Sequence, residues 1–455
     1  MFNQYRVIHF VGIGGIGMSG IAEVLHNIGY EVAGSDVKAS ANTERLAKFG
    51  IKIFIGHKAE NIDSAHVVVV SSAISTGNPE VLEAKRRSIP VIPRAEMLAE
   101  LGRLKYSILI AGSHGKTTTT SLISTVLLSS GYDPTVVIGG KLIATDSNAI
   151  PGKGEFLVAE ADESDGSFLK LNPTIAVCTN IDREHMDYFH NMEKLKESFV
   201  SFLNKIPFYG LSVVSLDDPN VREILPFINR RYTTYGLTHD ADFEARNVRY
   251  GFMNSQYDLY HKGDFLAGMS IPLSGKHNVL NSLATVAVAT YLHVDMETVK
   301  ESLRHFKGIK RRLEYKGEVN GVKIFDDYGH HPTEIRMTLK GIKEHIDGKL
   351  VVLFQPHRYT RTRDLLDEFA HSFGDVDRVY LMDVYSAGEK PIDGVGSPLL
   401  AGKMQECGVD VKYMPEVDAI VDSLDADLSS GDYLITFGAG DVWKYGENLL
   451  LRGKN

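Results

Sequence analysis

Twice in this chain a short apolar run leads into a glycine loop and then into helix-like residues. The first loop lies in "VGIGGIGMSG", residues 11–20, and the second in "ILIAGSHGKTTTTSLIS", residues 108–124. A strand, a glycine turn and a helix start are typical of α/β domains, in which backbone N–H groups at the turn converge on phosphate oxygens. The two loops therefore predict two separate phosphate-binding domains with parallel sheets.

The first loop fits the dinucleotide pattern G-x-G-x-x-G through Gly12, Gly14 and Gly17, and Asp36 ends the next strand-like run at the expected distance. These residues alone fit an NAD-dependent oxidoreductase. That alternative leaves the second loop without a role, and an NADH absorbance change during turnover would be needed to support it.

The second loop reads G-x-x-G-K-T-T, a shortened form of the phosphate loop, because the strict pattern needs glycine at position 110 and Ile110 is there. In such a loop Lys116 reaches the β- and γ-phosphates and the Thr117 hydroxyl faces Mg²⁺. The competing interpretation is a glycine turn capped by threonines.

Acidic and amide side chains follow the next two apolar runs, in "FLVAEADESDGS" and "AVCTNIDREHMDYF". Ligands and metals bind at the carboxyl ends of parallel strands, and Mg²⁺ prefers oxygen donors. Most of the four acidic side chains after the first run are expected to be solvated, and a single histidine is more often structural than a ligand. The residues are Glu160, Asp162, Glu163, Asp165, Asn180, Asp182, His185 and Asp187.

Composition narrows the class of protein. The chain has 455 residues, 49 basic and 58 acidic, for a net charge of −9, so no global field favours nucleic acid. It has two cysteines without metal-ligand spacing, and no apolar stretch approaches the roughly 20 residues of a membrane span. The amino terminus lacks the features of a signal peptide. These features predict a cytoplasmic multidomain enzyme without nucleic-acid or membrane partners.

Alternating apolar and amphipathic segments predict three α/β regions, 1–104, 105–309 and 310–455. Aromatic and polar residues alternate at 233–273, which predicts a small antiparallel insertion before a helix at 277–292. A basic, glycine-containing segment at 306–317 marks the second boundary. Strands are predicted at 6–12, 30–35, 51–55, 66–71, 90–93, 107–112, 155–160, 174–179, 211–215, 322–326, 349–354, 378–383 and 432–437.

Nine segments, in order and across essentially the whole chain, resemble the Mur ligases, the ATP-dependent amide-forming enzymes of peptidoglycan precursor synthesis. The resemblance implies a Rossmann-like domain for a UDP-sugar, a central phosphate-loop ATPase and a Rossmann-like domain for an amino acid. The segments are "GIGGIGMSGIAE", "GSHGKTTTT", "EADESDGSF", "TNIDREHMDY", "SGKHNVLNSLA", "GIKRRLE", "DDYGHHPTEI", "FQPHRYTRT" and "FGAGDVW".

Under this resemblance the first loop holds the diphosphate of UDP-N-acetylmuramate rather than NAD. Glycines let backbone amides approach a pyrophosphate in either case. The implied UDP-sugar contacts are Gly14, Gly15, Ile16, Gly17, Asp36, Ser71, Ser72 and Arg94.

The resemblance also implies ATP and Mg²⁺ as cofactors, with two metal ions and Mn²⁺ as a substitute. Thr117, Glu160 and His185 resemble the metal ligands. Arg311 and Tyr328 resemble further contacts to phosphates and nucleotide. The implied ATP-binding residues are Gly112, Ser113, His114, Gly115, Lys116, Thr117, Thr118, His277, Asn278, Asn281, Arg312 and Asp327.

His357, Arg358 and Arg361 resemble the residues that receive the amino acid. Lys116, His330, Arg358 and Arg361 are the implied catalytic residues, and either His330 or His331 is a candidate base for the ammonium group. Several Mur ligases carry a carbamylated lysine where this chain has Phe199, so carbamylation is not expected.

The closest branch of the family adds L-alanine to the lactyl carboxylate of UDP-N-acetylmuramate through an acyl phosphate. Charge on the transferred phosphoryl group needs stabilisation, and closure of the third domain should exclude water. A related branch, which adds a murein tripeptide, is the alternative, and preference for the tripeptide over L-alanine would identify it. A third hypothesis, an ATP-hydrolysing switch, predicts turnover without both substrates. The expected assembly is a monomer or a weak homodimer.

Overall fold

The computed structural model describes residues 6–71, 73–140, 143, 148–238 and 240–452. Three β-sheets follow one another along this chain, with five, ten and six strands. Each sheet contains parallel strands connected through helices, as the alternating apolar and amphipathic segments predict.

The first sheet has five parallel strands in the order β3-β2-β1-β4-β5. The strand order reverses direction between β1 and β4, so a crevice is expected where these two strands end. β1 is buried at every position, as its apolar sequence requires. The elements are β1 Val7–Val11, α1 Ile16–Asn27, β2 Glu31–Asp36, α2 Ala41–Lys48, β3 Lys52–Ile55, β4 Val67–Val70, α3 Pro79–Arg86, β5 Val91–Pro93 and α4 Arg94–Gly102.

The second sheet has ten strands in the order β15-β14-β13-β12-β11-β10-β6-β9-β7-β8. Its central strand β6 pairs parallel with both β9 and β10, which brings the carboxyl ends of these three strands together. The elements are β6 Tyr106–Ala111, α5 Lys116–Ser129, β7 Thr135–Val137, β8 Ala149–Ile150, β9 Phe156–Glu160, β10 Ile175–Cys178, α6 Met186–Phe189, α7 Met192–Leu203, β11 Leu211–Ser215, α8 Pro219–Ile224, β12 Tyr232–Gly236, β13 Phe243–Gly251, β14 Asn254–His261, β15 Asp264–Ile271, α9 Lys276–Tyr291 and α10 Met296–Arg304.

The third sheet has six strands in the order β16-β17-β21-β18-β19-β20, and only the edge pair β16–β17 is antiparallel. The carboxyl ends of β17, β21 and β18 are therefore neighbours. The elements are β16 Glu314–Val319, β17 Val322–Asp327, α11 Pro332–Lys343, β18 Leu350–Phe354, α12 Tyr359–Asp364, α13 Leu366–Ala370, β19 Arg378–Leu381, α14 Ser397–Glu406, β20 Val411–Tyr413, α15 Ile420–Asp427, β21 Tyr433–Phe437 and α16 Trp443–Arg452.

The predicted fold class, α/β with Rossmann-like first and third sheets and a central sheet that carries an insertion, is confirmed. Every predicted strand is present. One detail differs, because β12 pairs parallel with β11 and β13, so the insertion proper consists of β13, β14 and β15. These three strands are joined by two-residue connections, which antiparallel neighbours allow.

By its contacts, the chain forms two compact units. The first comprises 1–248, 256–272 and 278–307, and the second comprises 249–255, 273–277 and 308–455. The main division falls inside the predicted boundary segment, whereas residue 105 lies within the first unit. Among the helices described, none combines the length and apolar character needed to cross a bilayer.

Candidate nucleotide and amino-acid sites

The second glycine loop connects β6 to α5 in the first unit, and its backbone depends on two glycines. Gly112 has φ +134° and Gly115 has φ +84°, conformations that residues with a side chain rarely adopt. A Cβ at Gly112 would overlap Thr179, and one at Gly115 would lie 2.7 Å from Asn281 Oδ1. Because α5 begins at Lys116 without a side-chain cap, its first N–H groups can meet a phosphate.

The loop after β10 fastens the second glycine loop from the side. His114 N donates to Asn180 Oδ1 at 2.8 Å, and Asn180 Nδ2 donates back to His114 O at 2.9 Å. Asp182 N donates to Ser113 Oγ at 2.7 Å, while His114 Nε2 lies 3.0 Å from Asp182 Oδ2. Thr179 Oγ1 also donates to His114 O at 2.6 Å. The cradle is therefore held in shape by a neighbouring strand end.

Lys116 is ion-paired with Glu163, a carboxylate only 1% exposed. Lys116 Nζ lies 2.9 Å from both carboxylate oxygens of Glu163 and donates to Gly112 O at 2.5 Å. Burial alone would lower the pKa of Lys116, but the charges of Glu163, Asp162 and Glu184 raise it above its usual value. Burial and Asp162 push the pKa of Glu163 upward, against the pull of Lys116. Lys116 is therefore charged and held inside the loop.

Three side chains near the loop could hold a cation. One ligand atom each from Glu163, Glu184 and His185 lie within 4.8 Å of one another. His185 Nε2 is 4.0 Å from Glu163 Oε1 and 3.8 Å from Glu184 Oε2. Carboxylates bind both Mg²⁺ and Mn²⁺, and an imidazole is a further nitrogen donor.

The other two predicted metal ligands make different contacts. Glu160 Oε1 accepts a hydrogen bond from Gly139 N at 2.8 Å. Thr117 lies in the first turn of α5 and is 9% exposed. The roles of Thr117, Glu160 and His185 in metal binding stay predictions. Phe199, at the position where carbamylation was not expected, is buried with its ring 5.4 Å from that of Phe168.

Of the predicted adenine-binding residues, Asn281 lies against the phosphate loop. It is 4% exposed, and its Oδ1 accepts from Thr119 Oγ1 at 3.1 Å. Asn281 Nδ2 lies 3.4 Å from Asn278 Oδ1 on the same helix, α9. His277 is in the first turn of α9 and lies beside Gly275. Their role toward adenine remains a prediction.

The first glycine loop follows β1 and is braced by the end of β2. Gly12 N and Ile13 N both donate to Ser35 O, at 2.8 and 3.0 Å. Gly14 N donates to Asp36 Oδ2 at 2.9 Å. Gly15 caps α1 without a side-chain bond, so Ile16 and the next residues present open N–H groups.

Arg94 connects the start of α1 with the second sheet inside the first unit. A Cβ at Gly17 would overlap the Arg94 guanidinium, and Arg94 Nη2 lies 3.4 Å from Asp162 Oδ2. Ser71 Oγ lies 3.4 Å from a Cβ built at Gly12, at the crevice between β1 and β4. Ser72 lies outside the described residues. The predicted UDP-sugar residues that are described therefore share one edge of the sheet.

In the second unit Arg311 and Asp327 organise the backbone around the end of β17. Arg311 Nε lies 2.9 Å from Asp326 Oδ2, and its Nη2 donates to Gly438 O at 2.5 Å. Asp327 accepts from Leu313 N and Gly329 N, both at 2.7 Å. Burial raises the pKa of Asp327 to about 6, against the pull of Arg312 and these N–H groups.

Arg312 and Tyr328 are adjacent to this arrangement. Arg312 Nη1 lies 3.3 Å from Glu334 Oε1, and its guanidinium lies 5.6 Å from the centre of the Tyr328 ring. The Tyr328 ring lies 5.3 Å from the His330 ring, and the nucleotide roles of Arg312 and Tyr328 remain predictions.

His330 and His357 come together at the ends of β17 and β18. Their rings lie 5.7 Å apart, and the His357 ring stacks on Tyr385 at 5.5 Å. Arg361 Nη1 is 3.4 Å from His357 Nδ1. Burial, together with the charges of His330, Arg361 and Arg358, lowers the pKa of His357 to about 3. His357 is therefore neutral near pH 7, beside positively charged neighbours.

Arg358 precedes α12 with φ +73°, and its Nε lies 4.0 Å from Glu389 Oε1. Glu389 also accepts from Thr360 N at 3.1 Å and Thr360 Oγ1 at 2.7 Å. His331 Nδ1 accepts from Thr333 N at 3.3 Å and so caps α11. Because Nδ1 of His331 accepts, its neutral ring carries the proton on Nε2. His330 Nδ1 lies 3.1 Å from Tyr328 O and donates to it, so Nε2 of His330 is the basic nitrogen, which favours His330 as the candidate base.

Sequence reasoning missed the importance of three residues. Glu163 was one of four acidic residues expected to be mostly solvated, and only the strand order shows that it pairs with Lys116. Tyr385 and Glu389 lie in "VYSAGE", where no local spacing links them to His357 or Arg358.

Three family models match the chain in succession. Residues 7–106 match "Mur ligase family, catalytic domain", 110–289 match "Mur ligase middle domain", and 311–440 match "Mur ligase, glutamate ligase domain". The resemblance predicted from the nine sequence segments is thereby confirmed.

Individual relatives match over the full length. The chain is 53% identical to the UDP-N-acetylmuramate–L-alanine ligase of Geobacter sp. (strain M21), over 100% of this chain and 99% of that protein. A solved structure of UDP-N-acetylmuramate-alanine ligase from Thermotoga maritima has a TM-score of 0.84 at 27% identity, covering 98% of this chain and 99% of that one. A murein peptide ligase from Psychrobacter arcticus 273-4 shares the fold, with a TM-score of 0.73 at 23% identity over 99% of each chain. The chain belongs to the Mur ligase family.

Proposed function

We propose that this protein is an ATP-dependent ligase that joins the lactyl carboxylate of UDP-N-acetylmuramate to L-alanine, with release of ADP and phosphate. The observation that carries the proposal is that one compact unit holds two glycine loops, each at the start of a helix. Arg94 lies between them, beside Gly17 of one loop and 3.4 Å from Asp162 at the other. The full-length relative at 53% identity supports the choice of substrates.

A carboxylate is a poor electrophile, so it must be activated before an amine can attack it. In the proposed reaction a lactyl carboxylate oxygen attacks the γ-phosphorus of ATP, forming an acyl phosphate and releasing ADP. Two anions approach each other in this step, and Lys116 with the N–H groups of α5 offsets their repulsion. Lys116 would exchange its Glu163 partner for phosphate oxygens when ATP binds.

The acidic side chains beside the loop fit a divalent cation, because the ligand atoms of Glu163, Glu184 and His185 lie within 4.8 Å of one another. We propose that His185 and neighbouring carboxylates hold Mg²⁺, with Thr117 and Glu160 as the further ligands that the family resemblance implies. Bound there, the ion would neutralise charge on the phosphates.

The second half of the reaction uses residues of the second unit. Arg358 and Arg361 can pair with the carboxylate of L-alanine, since guanidinium groups bind carboxylates in a bidentate manner. His330 is the proposed acceptor of the proton that the ammonium group must lose before it attacks the acyl carbon. His357 is neutral and can accept a hydrogen bond from Arg361 Nη1 at its Nδ1, so it would orient that arginine. Attack by the amine forms the C–N bond and expels phosphate.

The test is phosphate release from ATP in the presence of UDP-N-acetylmuramate and a panel of amines. We expect release with L-alanine and none when either the sugar nucleotide or the amine is left out. Preference for a murein tripeptide would favour the recycling reaction, and release without either substrate would favour an ATP-hydrolysing switch. The family match leaves the oxidoreductase alternative without support. We further propose a cytoplasmic enzyme, acting as a monomer or weak homodimer.

A further inference from the structure

Beneath the first glycine loop lies a carboxylate for which the proposed reaction has no use. Glu80, in the first turn of α3, is 0% exposed. Its Oε2 accepts from Ser35 Oγ at 2.6 Å and lies 3.4 Å from His9 Nε2, and its Oε1 accepts from Asn61 Nδ2 at 2.5 Å. Burial alone would raise the pKa of Glu80, but hydrogen bonds from His9, Ser35 and Asn61 lower it, so the carboxylate is charged.

This network fixes the proton of a fifth side chain, His57. An ionised Glu80 can only accept, so the single hydroxyl proton of Ser35 points to Glu80. His57 Nδ1 lies 3.0 Å from Ser35 Oγ, which toward His57 can then only accept. The neutral His57 ring therefore carries its proton on Nδ1 and presents Nε2 as an acceptor.

Nε2 of His57 faces away from the network. The His57 side chain is 16% exposed, and Nδ1 is the nitrogen turned toward Ser35 and Glu80. Within the described parts of the chain, no residue hydrogen-bonds to Nε2. The structure thus holds a pre-oriented acceptor at the surface of the first sheet.

His57 lies at the edge where a nucleotide is expected to bind. It follows β3, and Gly56 N donates to Asp36 O at 2.8 Å. In dinucleotide-binding folds the acidic residue that ends β2 binds the ribose. Here one oxygen of that residue, Asp36, accepts from Gly14 N, and Asp36 pairs with Ile55 of β3, two residues before His57.

We propose that His57 Nε2 accepts a hydrogen bond from the nucleoside of the bound sugar nucleotide, and that Ser35 and Glu80 are positioning residues that fix the His57 tautomer. The inference rests on the proposed function for the presence of a uridine nucleotide at this loop. The donor is either a ribose hydroxyl or the imide N–H of uracil, which share the chemistry that Nε2 requires.

The test is isothermal titration of the full-length protein with UDP. His57→Asn keeps an N–H directed at Ser35 but removes the outer acceptor, and we expect about tenfold weaker binding, the size of one hydrogen bond. His57→Gln restores an acceptor near the position of Nε2 and should bind UDP nearly as wild type does. His305→Asn, at the exposed position that follows α10, is the matched control and should change nothing.

Three analogues identify the donor: the 2′-deoxy, 3′-deoxy and N3-methyl forms of UDP. The wild-type protein should bind the analogue that lacks the donor about tenfold more weakly than it binds UDP. The His57→Asn variant should bind that same analogue as tightly as wild type does. ATP binding and the thermal unfolding midpoint show whether each variant is folded.

Each outcome bears on one of the two proposals. Failure of the wild-type protein to bind UDP or UDP-N-acetylmuramate would contradict the proposed function. Normal wild-type binding with an unaffected His57→Asn variant would overturn the inference alone. The inference would also be overturned if His57→Asn and His57→Gln lost the same affinity for UDP and no analogue bound wild type and His57→Asn equally. That result would show a merely structural role for His57.

Discussion

Lys116 is the residue on which activation by ATP depends most, because its ammonium group is the charge held inside the phosphate loop. We predict that Lys116→Ala abolishes phosphate release while binding of UDP-N-acetylmuramate changes little, since the first loop is a separate cradle. Steady-state phosphate assays and titration with the sugar nucleotide measure the two effects. Lys194→Ala, an exposed position at the start of α7, is the control. Loss of sugar-nucleotide binding in Lys116→Ala would mean that the two loops do not act separately.

Arg358 tests the amino-acid site. Because its guanidinium is the proposed partner of the alanine carboxylate, Arg358→Ala should raise the KM for L-alanine by about tenfold or more, with little effect on the KM for ATP. Arg363→Ala provides the comparison, since Arg363 lies on α12, the helix that Arg358 precedes, and pairs with the exposed Asp364. Equal changes in both KM values would refute the role.

The titration of His357 should make the stability of the second unit depend on pH. Its pKa is about 3 in the folded protein, lowered by burial and by neighbouring positive charges, against about 6.5 in an unfolded chain. A lowered folded-state pKa gives stability that is present above pH 6.5 and is lost as the pH falls toward 3. We predict that the thermal unfolding midpoint of wild type falls more between pH 7 and pH 4 than that of His357→Gln. Parallel curves would contradict the assignment.

At the scale of an element, helix α5 needs a glycine before its start and another after its end, for different reasons. Gly115 and Gly131 both have positive φ, but only a Cβ at Gly115 meets another side chain, Asn281. Gly131→Ala should cost about 1 kcal/mol of stability with an unchanged KM for ATP. Gly115→Ala should lower the stability too, and in addition it should raise the KM for ATP strongly. Equal KM values for the two variants would show that the loop geometry does not bind the nucleotide.

Strands were predictable from sequence where they are apolar and flanked by polar or glycine residues. β16 was not predicted, because its sequence "EYKGEV" is largely polar and it pairs on one side only. β7, β8 and β20 were not predicted either, because they are three, two and three residues long, too short for a periodic pattern. These elements depend on a neighbouring strand that the local sequence does not specify.

At the scale of the whole molecule, the sequence places the two glycine loops and the histidine–arginine cluster but not their buried partners. Glu163 and Glu80 are indistinguishable by sequence from exposed glutamates, and their burial follows from strand order and helix packing. The predicted boundary near residue 105 falls inside one compact unit because α1 packs on β8. Asn148 Nδ2 donates to Ser19 Oγ at 3.2 Å across that contact.

The central claim is that one unit binds two phosphorylated molecules, and that the carboxylate of one attacks the γ-phosphate of the other. The most direct measurement uses UDP-N-acetylmuramate with heavy oxygen in its lactyl carboxylate, incubated with ATP and L-alanine. Mass spectrometry of the released phosphate should find one heavy oxygen per turnover, transferred through the acyl phosphate. Unlabelled phosphate, with amide product still formed, would contradict the account.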